Sequence, residues 1–141
     1  MAATPFQVTV SSADPHALAQ FWAAALGHTL EDTTDLITRL RDADIVTAED
    51  FFERDGQLWW NDLVGIRDPD GRNPRLLFQR VDHPKTVPNR FHLDLNVGPD
   101  RRAAEVERLT ALGATTLWVI DDVSSHHTTM ADPDGNEFCV Q

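Results

Sequence analysis

The chain has 141 residues, enough for one compact domain and too few for two independent domains of ordinary size. Its 23 acidic and 12 basic residues give a formal net charge of -11, which repels the phosphates of nucleic acids and anionic lipids. No apolar run approaches the ~20 residues that span a bilayer, and the N-terminus lacks the basic and apolar segments of a signal peptide. We therefore expect a cytoplasmic protein that partners neither nucleic acid nor membrane. The single cysteine, Cys139, excludes an internal disulfide.

The first predicted element is a half-buried strand at 6–10, where apolar residues occupy every second position. A helix follows, with Asp14 as its N-cap, Pro15 in its first turn and Gly27 as its stop. Further strands are predicted after this helix and on both sides of an Asp-Pro-Asp-Gly turn that begins at Asp68. The apolar residues of the helix recur at helical spacing: Leu18, Phe21, Trp22, Ala25 and Leu26.

The second half of the chain repeats this plan. An alternating stretch at 91–97 precedes a helix that opens at Pro99 and stops at Gly113, and strands flank a second Asp-Pro-Asp-Gly turn at 132–135. Such turns recur by chance, but the shared order of strand, helix, strands, turn and closing strand indicates a true repeat. Each half therefore reads βαβββ. The predicted fold class is α+β, with module one over 5–82 and module two over 89–141 of a single domain, 1–141.

An extra segment between Arg41 and Trp60 breaks both the strand and the helix periodicity. We interpret it as an insertion over the site. Its aromatic side chains are expected to roof the site and stack on a flat ligand, although core packing explains part of the cluster. At least one of the two adjacent tryptophans should face a cavity or a subunit partner, because neighbours in an extended segment point opposite ways. The cluster comprises Phe51, Phe52, Trp59 and Trp60.

Alternation along the strands separates an apolar face from a polar, concave face. The apolar positions should pack beneath the helices: Phe6, Val8, Val10, Phe78, Phe91, Leu93, Leu95, Met130, Phe138 and Val140. The positions predicted on the concave face are Gln7, Thr9, Ser11, Leu77, Gln79, His92, Asp94, Asn96, His127, Glu137, Cys139 and Gln141.

Paired βαβββ modules with an Asp-Pro-Asp-Gly-Asn turn before the last strand resemble the vicinal-oxygen-chelate superfamily. It includes glyoxalases, extradiol dioxygenases, fosfomycin-resistance enzymes and bleomycin-binding proteins. The resemblance covers nearly the whole chain and looks closest to the glyoxalase-like subgroup of actinobacterial type, most specifically at 14–22, 76–81, 89–95 and 132–140. It implies two modules that curl their mixed sheets into a cleft with helices on the outer faces, and a homodimer. It also implies that metal ligands come from the first and last strands of each module.

By this resemblance the family's ligand positions are Gln7, Gln79, His92 and Cys139, whereas typical members offer His or Gln, then Glu, His and Glu. Both carboxylates are missing, and a thiol binds metal well only as a thiolate. No metal cofactor is therefore expected, although a divalent metal stays possible. A substitute zinc site would use His92, His127, Cys139 and Glu137, whereas the alternative is that the adjacent histidines, His126 and His127, are solvated or hydrogen-bonded to neighbours.

Two functions remain open at this point. The first is a glyoxalase/bleomycin-resistance-like protein that binds a small aromatic or peptide-like metabolite in its cleft without classical metal catalysis. The alternative is a lyase or isomerase that uses a substitute metal or His92 and Asp94 as a catalytic acid-base pair. The residues predicted to bind the ligand are Gln7, Thr9, Phe52, Trp59, Trp60, Gln79, His127, Glu137 and Cys139.

Overall fold

The computed structural model describes Met1–Gln141, and its chain divides into two compact units, Met1–Asp82 and His83–Gln141. None of its helices is both long and apolar enough to cross a membrane. The elements of the first unit are β1 (Gln7–Ser12), α1 (Pro15–Leu26), β2 (Thr29–Leu30), α2 (Thr34–Asp42), β3 (Phe51–Arg54), β4 (Gln57–Trp60), β5 (Leu63–Arg67) and β6 (Arg75–Arg80). Those of the second unit are β7 (Asp94–Leu95), α3 (Pro99–Leu112), β8 (Thr115–Asp121), β9 (His126–Ala131) and β10 (Glu137–Val140).

Each unit contains a four-stranded mixed sheet, and the two sheets have the same strand order. The first is ordered β1-β6-β5-β2 and the second β7-β10-β9-β8. In each, the first strand of the module pairs parallel with its last strand, and the other neighbours are antiparallel. Corresponding strands thus occupy corresponding places, which confirms the predicted α+β class built from two βαβββ modules.

The helix boundaries follow from the predicted capping residues. Asp14 accepts a hydrogen bond from the Ala17 N–H at 3.1 Å, and Pro15 occupies the first turn of α1. Gly27 and Gly113 end α1 and α3 in the left-handed region, with φ of 67° and 115°, which a glycine adopts without steric cost.

The apolar core lies between each helix and its sheet. In the first unit α1 packs on β5 and β6 and buries the predicted face of the helix together with Ile66, Leu76 and Phe78. In the second unit α3 contributes Leu109, which is fully buried, and the sheet contributes Met130, Phe138 and Val140.

Two predicted core residues lie at the surface instead. Phe6 is 71% exposed and Phe91 is 94% exposed. Each precedes its strand, since β1 begins at Gln7 and β7 only at Asp94. The alternation of side chains is a property of extended, paired backbone, so it does not extend to residues outside the strands.

The extra segment of the first unit is regular rather than irregular. It begins where α2 ends and contains an antiparallel hairpin, β3–β4, in which Phe51 pairs with Trp60 and Phe52 with Trp59. The two-residue turn, Asp55 and Gly56, has φ of 54° and 76°. Positive φ at both turn residues is typical of a type I′ hairpin, for which Asp-Gly is a strong sequence signal.

Candidate functional site

A row of four side chains crosses the second sheet on the face opposite to Phe138 and Val140. The register pairs Asp94 with Cys139, Cys139 with Thr129, and Thr129 with Trp118. Directly paired residues present their side chains on the same face of a sheet. We call Asp94, Cys139, Thr129 and Trp118 the polar row.

His92 and Asp94, the predicted acid-base pair, lie side by side at one end of the polar row. His92 Nδ1 is 2.9 Å from Asp94 Oδ1, and both side chains are 44% exposed. With Nδ1 bonded to the carboxylate, Nε2 stays free for a ligand, a proton or a cation. The metal-ligating atoms of His92, Asp94 and Cys139 all lie within 4.8 Å of one another. A catalytic role for the pair stays a prediction.

The Cys139 thiol is held in its protonated form. Burial raises the pKa of Cys139, and the nearby Asp94 carboxylate raises it further. The Thr129 Oγ1 lies 3.6 Å from the Cys139 Sγ and interacts with it weakly. Since the thiolate is the form that binds metals, Cys139 offers a poor donor at neutral pH.

Glu137 joins the strand to the segment between the two modules. One carboxylate oxygen accepts from Lys85 Nζ at 3.0 Å and the other from the Asn89 N–H at 2.8 Å. The Asn89 bond lowers the pKa of Glu137, with a smaller contribution from Lys85. Both oxygens are thus engaged, which makes Glu137 unsuitable for the substitute zinc set that the sequence suggested.

His127 lies on the same face as Thr129, as predicted from the burial of Met130, which is 0% exposed. Its Nδ1 is 2.8 Å from the Ser125 Oγ. The imidazole is therefore anchored in its own strand connection, and its role toward a ligand stays a prediction.

Gln7, the first family ligand position, is bonded to a cation. Its Oε1 accepts from Arg75 Nη1 at 2.9 Å. Arg75 in turn donates to Glu31 at 2.8 and 2.5 Å, and Arg67 also pairs with Glu31. We call Gln7, Arg75, Glu31 and Arg67 the Arg75 network. The Arg75 guanidinium occupies the Gln7 amide oxygen that a metal ion would need, and its positive charge repels a cation.

The Arg75 network depends on a glycine in β5. A Cβ at Gly65 would collide with the side chains of both Glu31 and Arg75. The hydrogen bond from Arg75 lowers the pKa of Glu31 and keeps its carboxylate ionised. The sequence prediction missed Arg75, although counting back in twos from Gln79 through Leu77 places it on the same face.

The strand registers change the residue assigned to the second ligand position. Gly65 and Thr129 occupy corresponding positions, because each lies three residues before the aspartate that begins its turn, Asp68 or Asp132. Gly65 pairs with Leu77, and Thr129 pairs with Cys139. The residue that corresponds to Cys139 is therefore Leu77 rather than Gln79. The first unit has two more residues between the turn and this position than the second unit has, so counting from the turn alone would select Arg75, and only the register identifies Leu77. Gln79 is exposed on the same face, and its predicted ligand contact is untested.

The aromatic cluster has partners within the first unit. The His16 ring meets Phe52 edge-on at 5.0 Å and Trp59 at 6.1 Å, and Arg54 lies over both rings. Trp59 is 6% exposed, whereas Trp60 is half-buried. Packing therefore accounts for these contacts, and a role of Phe52, Trp59 or Trp60 in ligand binding stays a prediction. Burial lowers the pKa of His16, so its imidazole is neutral near pH 7.

Trp118 is an aromatic residue of the polar row that the sequence prediction did not select. Simple alternation would place it on the same face as Thr116, which pairs with Met130 of the core face. A register shift between Thr116 and Trp118 turns Trp118 to the opposite face, where it is 52% exposed. Bulges of this kind leave no reliable sequence signal.

The residues present do not fit the hard divalent cation that the family's usual donors hold. Gln7 faces a guanidinium, Leu77 has no donor atom, and Cys139 is a protonated thiol. Manganese, magnesium and ferrous iron favour carboxylate and other oxygen or imidazole ligands. No chemical step is therefore assigned to such a cation.

The chain was compared with known proteins and structures. The family model described as a glyoxalase-like domain matches residues 7–141, whereas no curated protein matches the chain. A glyoxalase/bleomycin resistance protein/dioxygenase family enzyme from Burkholderia phytofirmans is 14% identical, with coverage of 95% of this chain and 94% of that one and a TM-score of 0.62.

Two further solved structures resemble the chain over its whole length. A fosfomycin resistance protein, FosX, from Listeria monocytogenes, complexed with Mn(II) and a dihydroxypropylphosphonic acid, is 10% identical, with coverage of 100% and 90% and a TM-score of 0.64. The bleomycin-binding protein of Streptomyces verticillus, complexed with copper(II)-bleomycin, is 18% identical, with coverage of 100% and 97% and a TM-score of 0.54. At such identities the likeness shows the fold alone. Given the family match over nearly its full length, the chain belongs to the glyoxalase-like domain family, within the vicinal-oxygen-chelate superfamily.

Proposed function

We propose that this protein binds a small aromatic or peptide-like metabolite on its polar sheet faces and works without classical metal catalysis. The observation that carries the proposal is the hydrogen bond from Arg75 to the Gln7 amide oxygen, because it directs a permanent positive charge at a family ligand position. The missing carboxylates at Leu77 and Cys139 point the same way.

The polar row supplies the contacts that a neutral or cationic metabolite needs. The Asp94 carboxylate accepts hydrogen bonds, the free Nε2 of His92 donates or accepts one, and the Thr129 and Cys139 groups lie between them and Trp118. Binding sites commonly combine apolar surface with a few placed polar groups of this kind. The bleomycin-binding protein of similar fold supports a peptide-like ligand by analogy.

An enzymatic alternative is favoured by one observation, the proximity of His92, Asp94 and Cys139. An imidazole bonded to a carboxylate is a suitable general base, and imidazole, carboxylate and thiolate together suit zinc. In this alternative the protein is a lyase or isomerase, and the two residues His92 and Asp94 handle the proton.

The same proposal includes four broader expectations from the sequence. The chain acts as one functional domain, forms a homodimer, resides in the cytoplasm and belongs to the actinobacterial glyoxalase-like subgroup. Sedimentation of the purified protein tests the homodimer directly.

Metal analysis and ligand titration separate the two functions. Protein purified without chelator is analysed for bound metal and then titrated with metal-free bleomycin by calorimetry, as wild type, His92→Ala and His126→Ala. His126 forms a second exposed pair, with Asp121 at 2.5 Å, and so serves as a matched control. We expect substoichiometric metal and binding that His92→Ala weakens and His126→Ala does not. Stoichiometric metal that disappears in His92→Ala would support the enzyme instead.

Turnover of a glyoxalase hemithioacetal is the second test. We expect none. Measurable turnover that Gln79→Ala abolishes would mean that amide side chains support catalysis here and would contradict the binding proposal.

A further inference from the structure

The polar row has large, exposed side chains at its two ends and small side chains in its middle. One end carries the exposed His92–Asp94 pair and the other the Trp118 indole, which is 52% exposed. Between them stand the small side chains of Cys139, half-buried, and Thr129, 5% exposed. The row is thus a shallow trough with a hydrogen-bonding end and an aromatic end.

The strand spacing fixes the length of a molecule that reaches both ends. Neighbouring strands lie ~4.8 Å apart, and β7 and β8 are separated by three such spacings, or roughly 14 Å. The long side chains at the two ends shorten the gap. A single small ring cannot fill the trough, whereas an elongated molecule of two or more linked groups can.

The Trp118 side chain is much more exposed than the buried tryptophans of this chain. Buried tryptophans of this chain, Trp22 and Trp59, are 3% and 6% exposed. Trp118 instead presents a large, rigid aromatic surface beside hydrogen-bonding groups, an arrangement that favours stacking on a flat ring. The Asp94 carboxylate at the far end and the net charge of -11 favour a cationic or donor-bearing group there.

We propose that Trp118 is a stacking platform that selects elongated ligands with an aromatic ring at one end and a cationic or hydrogen-bond-donating group at the other. This inference rests on the proposed binding function and names the ligand class of the same site. Trp118 determines which ligands bind. Cys139 and Thr129, in the middle of the row, set the spacing between the aromatic ring and the polar group of the ligand.

Cys139 allows a test that requires no known ligand. It is the sole cysteine and stands two strand spacings, ~10 Å, from Trp118. Symmetrical disulfides of fragments that carry a naphthyl or a cyclohexyl ring on linkers of increasing length exchange with Cys139 under a fixed concentration of 2-mercaptoethanol at pH 8.5; the Cys139 thiolate attacks the fragment disulfide, and one fragment leaves as the free thiol. Intact mass gives the labelled fraction at equilibrium, and the tether supplies a high effective concentration.

We expect naphthyl fragments to be preferred about tenfold over matched cyclohexyl fragments once the linker reaches Trp118, as one aromatic stacking contact supports. Trp118→Ala should abolish this preference and Trp118→Phe retain part of it. Val119→Ala is the matched control, since Val119 is 62% exposed on the same strand but pairs with Thr128 of the opposite face. It should leave the preference unchanged.

Equal labelling by both ring types in the wild type, or an unchanged preference in Trp118→Ala, overturns the inference. So does a Trp118→Ala variant that alters sedimentation but not labelling, because the indole then serves a contact with a second copy. The bleomycin titration uses no thiol and judges the binding function separately. If bleomycin binds but the labelling preference does not change in Trp118→Ala, the stacking role of Trp118 is refuted and the binding function is not.

Discussion

Replacing Glu31 by glutamine removes the carboxylate that holds two guanidinium groups on the first sheet. Glu31 and Arg75 are partly buried, with side chains 18% and 23% exposed, and Arg67 is the second cation. Breaking a fully buried pair costs about 3–5 kcal/mol, and exposed pairs contribute about 0–1 kcal/mol. For this intermediate burial we expect Glu31→Gln to lower the free energy of unfolding by about 2 kcal/mol at pH 7.

The loss should depend on pH in a defined direction. Hydrogen bonding to Arg75 lowers the pKa of folded Glu31 below its usual 4.5. The contribution of the ionised Glu31 to the free energy of unfolding is therefore fully present above pH 4.5. It disappears as the pH falls through the lower pKa of the folded state. Wild type and Glu31→Gln should consequently converge in stability under acid conditions.

Urea denaturation followed by circular dichroism measures both effects, at pH 7 and at a series of lower pH values. Glu53→Gln is the matched control, because it makes the same change of charge at an exposed position of the β3–β4 hairpin. A loss for Glu31→Gln no larger than that of Glu53→Gln would refute the reasoning. A loss that persists undiminished in acid would show that packing, rather than charge, stabilises this network.

Three further predictions concern single groups. Asp94→Asn should accelerate alkylation of Cys139 by iodoacetamide near pH 8, since losing the carboxylate lowers the thiol pKa; an unchanged rate, read by mass, would contradict this. Gly65→Ala should cost about 1–3 kcal/mol in urea denaturation because its Cβ displaces the Glu31 pair, and wild-type stability would refute it. Burial lowers the pKa of His16 below 6.5, so wild-type stability should fall as the pH drops through this value and His16→Phe should flatten that fall; parallel stability curves would exclude it.

Local sequence signals were sufficient for the elements and their order. Asp14, Pro15 and Gly27 bound the first helix through backbone hydrogen bonds and φ preferences that involve only near neighbours. The repeated turns and the period-two pattern then predicted the duplicated module. The sequence analysis did not predict the β3–β4 hairpin, although Asp55 and Gly56 are typical of its turn. The reason is that the flanking strands lack a clear alternation of apolar and polar residues.

Some features of the candidate site could likewise be predicted from local sequence, and others could not. Alternation predicted that Phe138 and Val140 are buried, because both lie within one extended strand. His92 precedes β7, and its predicted proximity to Asp94 rests on the hydrogen bond between the two side chains. The exposed positions of Phe6 and Phe91 were not predictable, since the strand ends are fixed by pairing with other strands.

Only the tertiary structure decided which residues meet across strands. The register placed Leu77 opposite Gly65 and Cys139 opposite Thr129, and a bulge turned Trp118 to the polar face. Register and bulges depend on hydrogen bonds between segments far apart in the chain, which no local pattern encodes. The sequence by itself determined the family and the βαβββ plan, whereas three-dimensional pairing decided that the first ligand position faces a guanidinium.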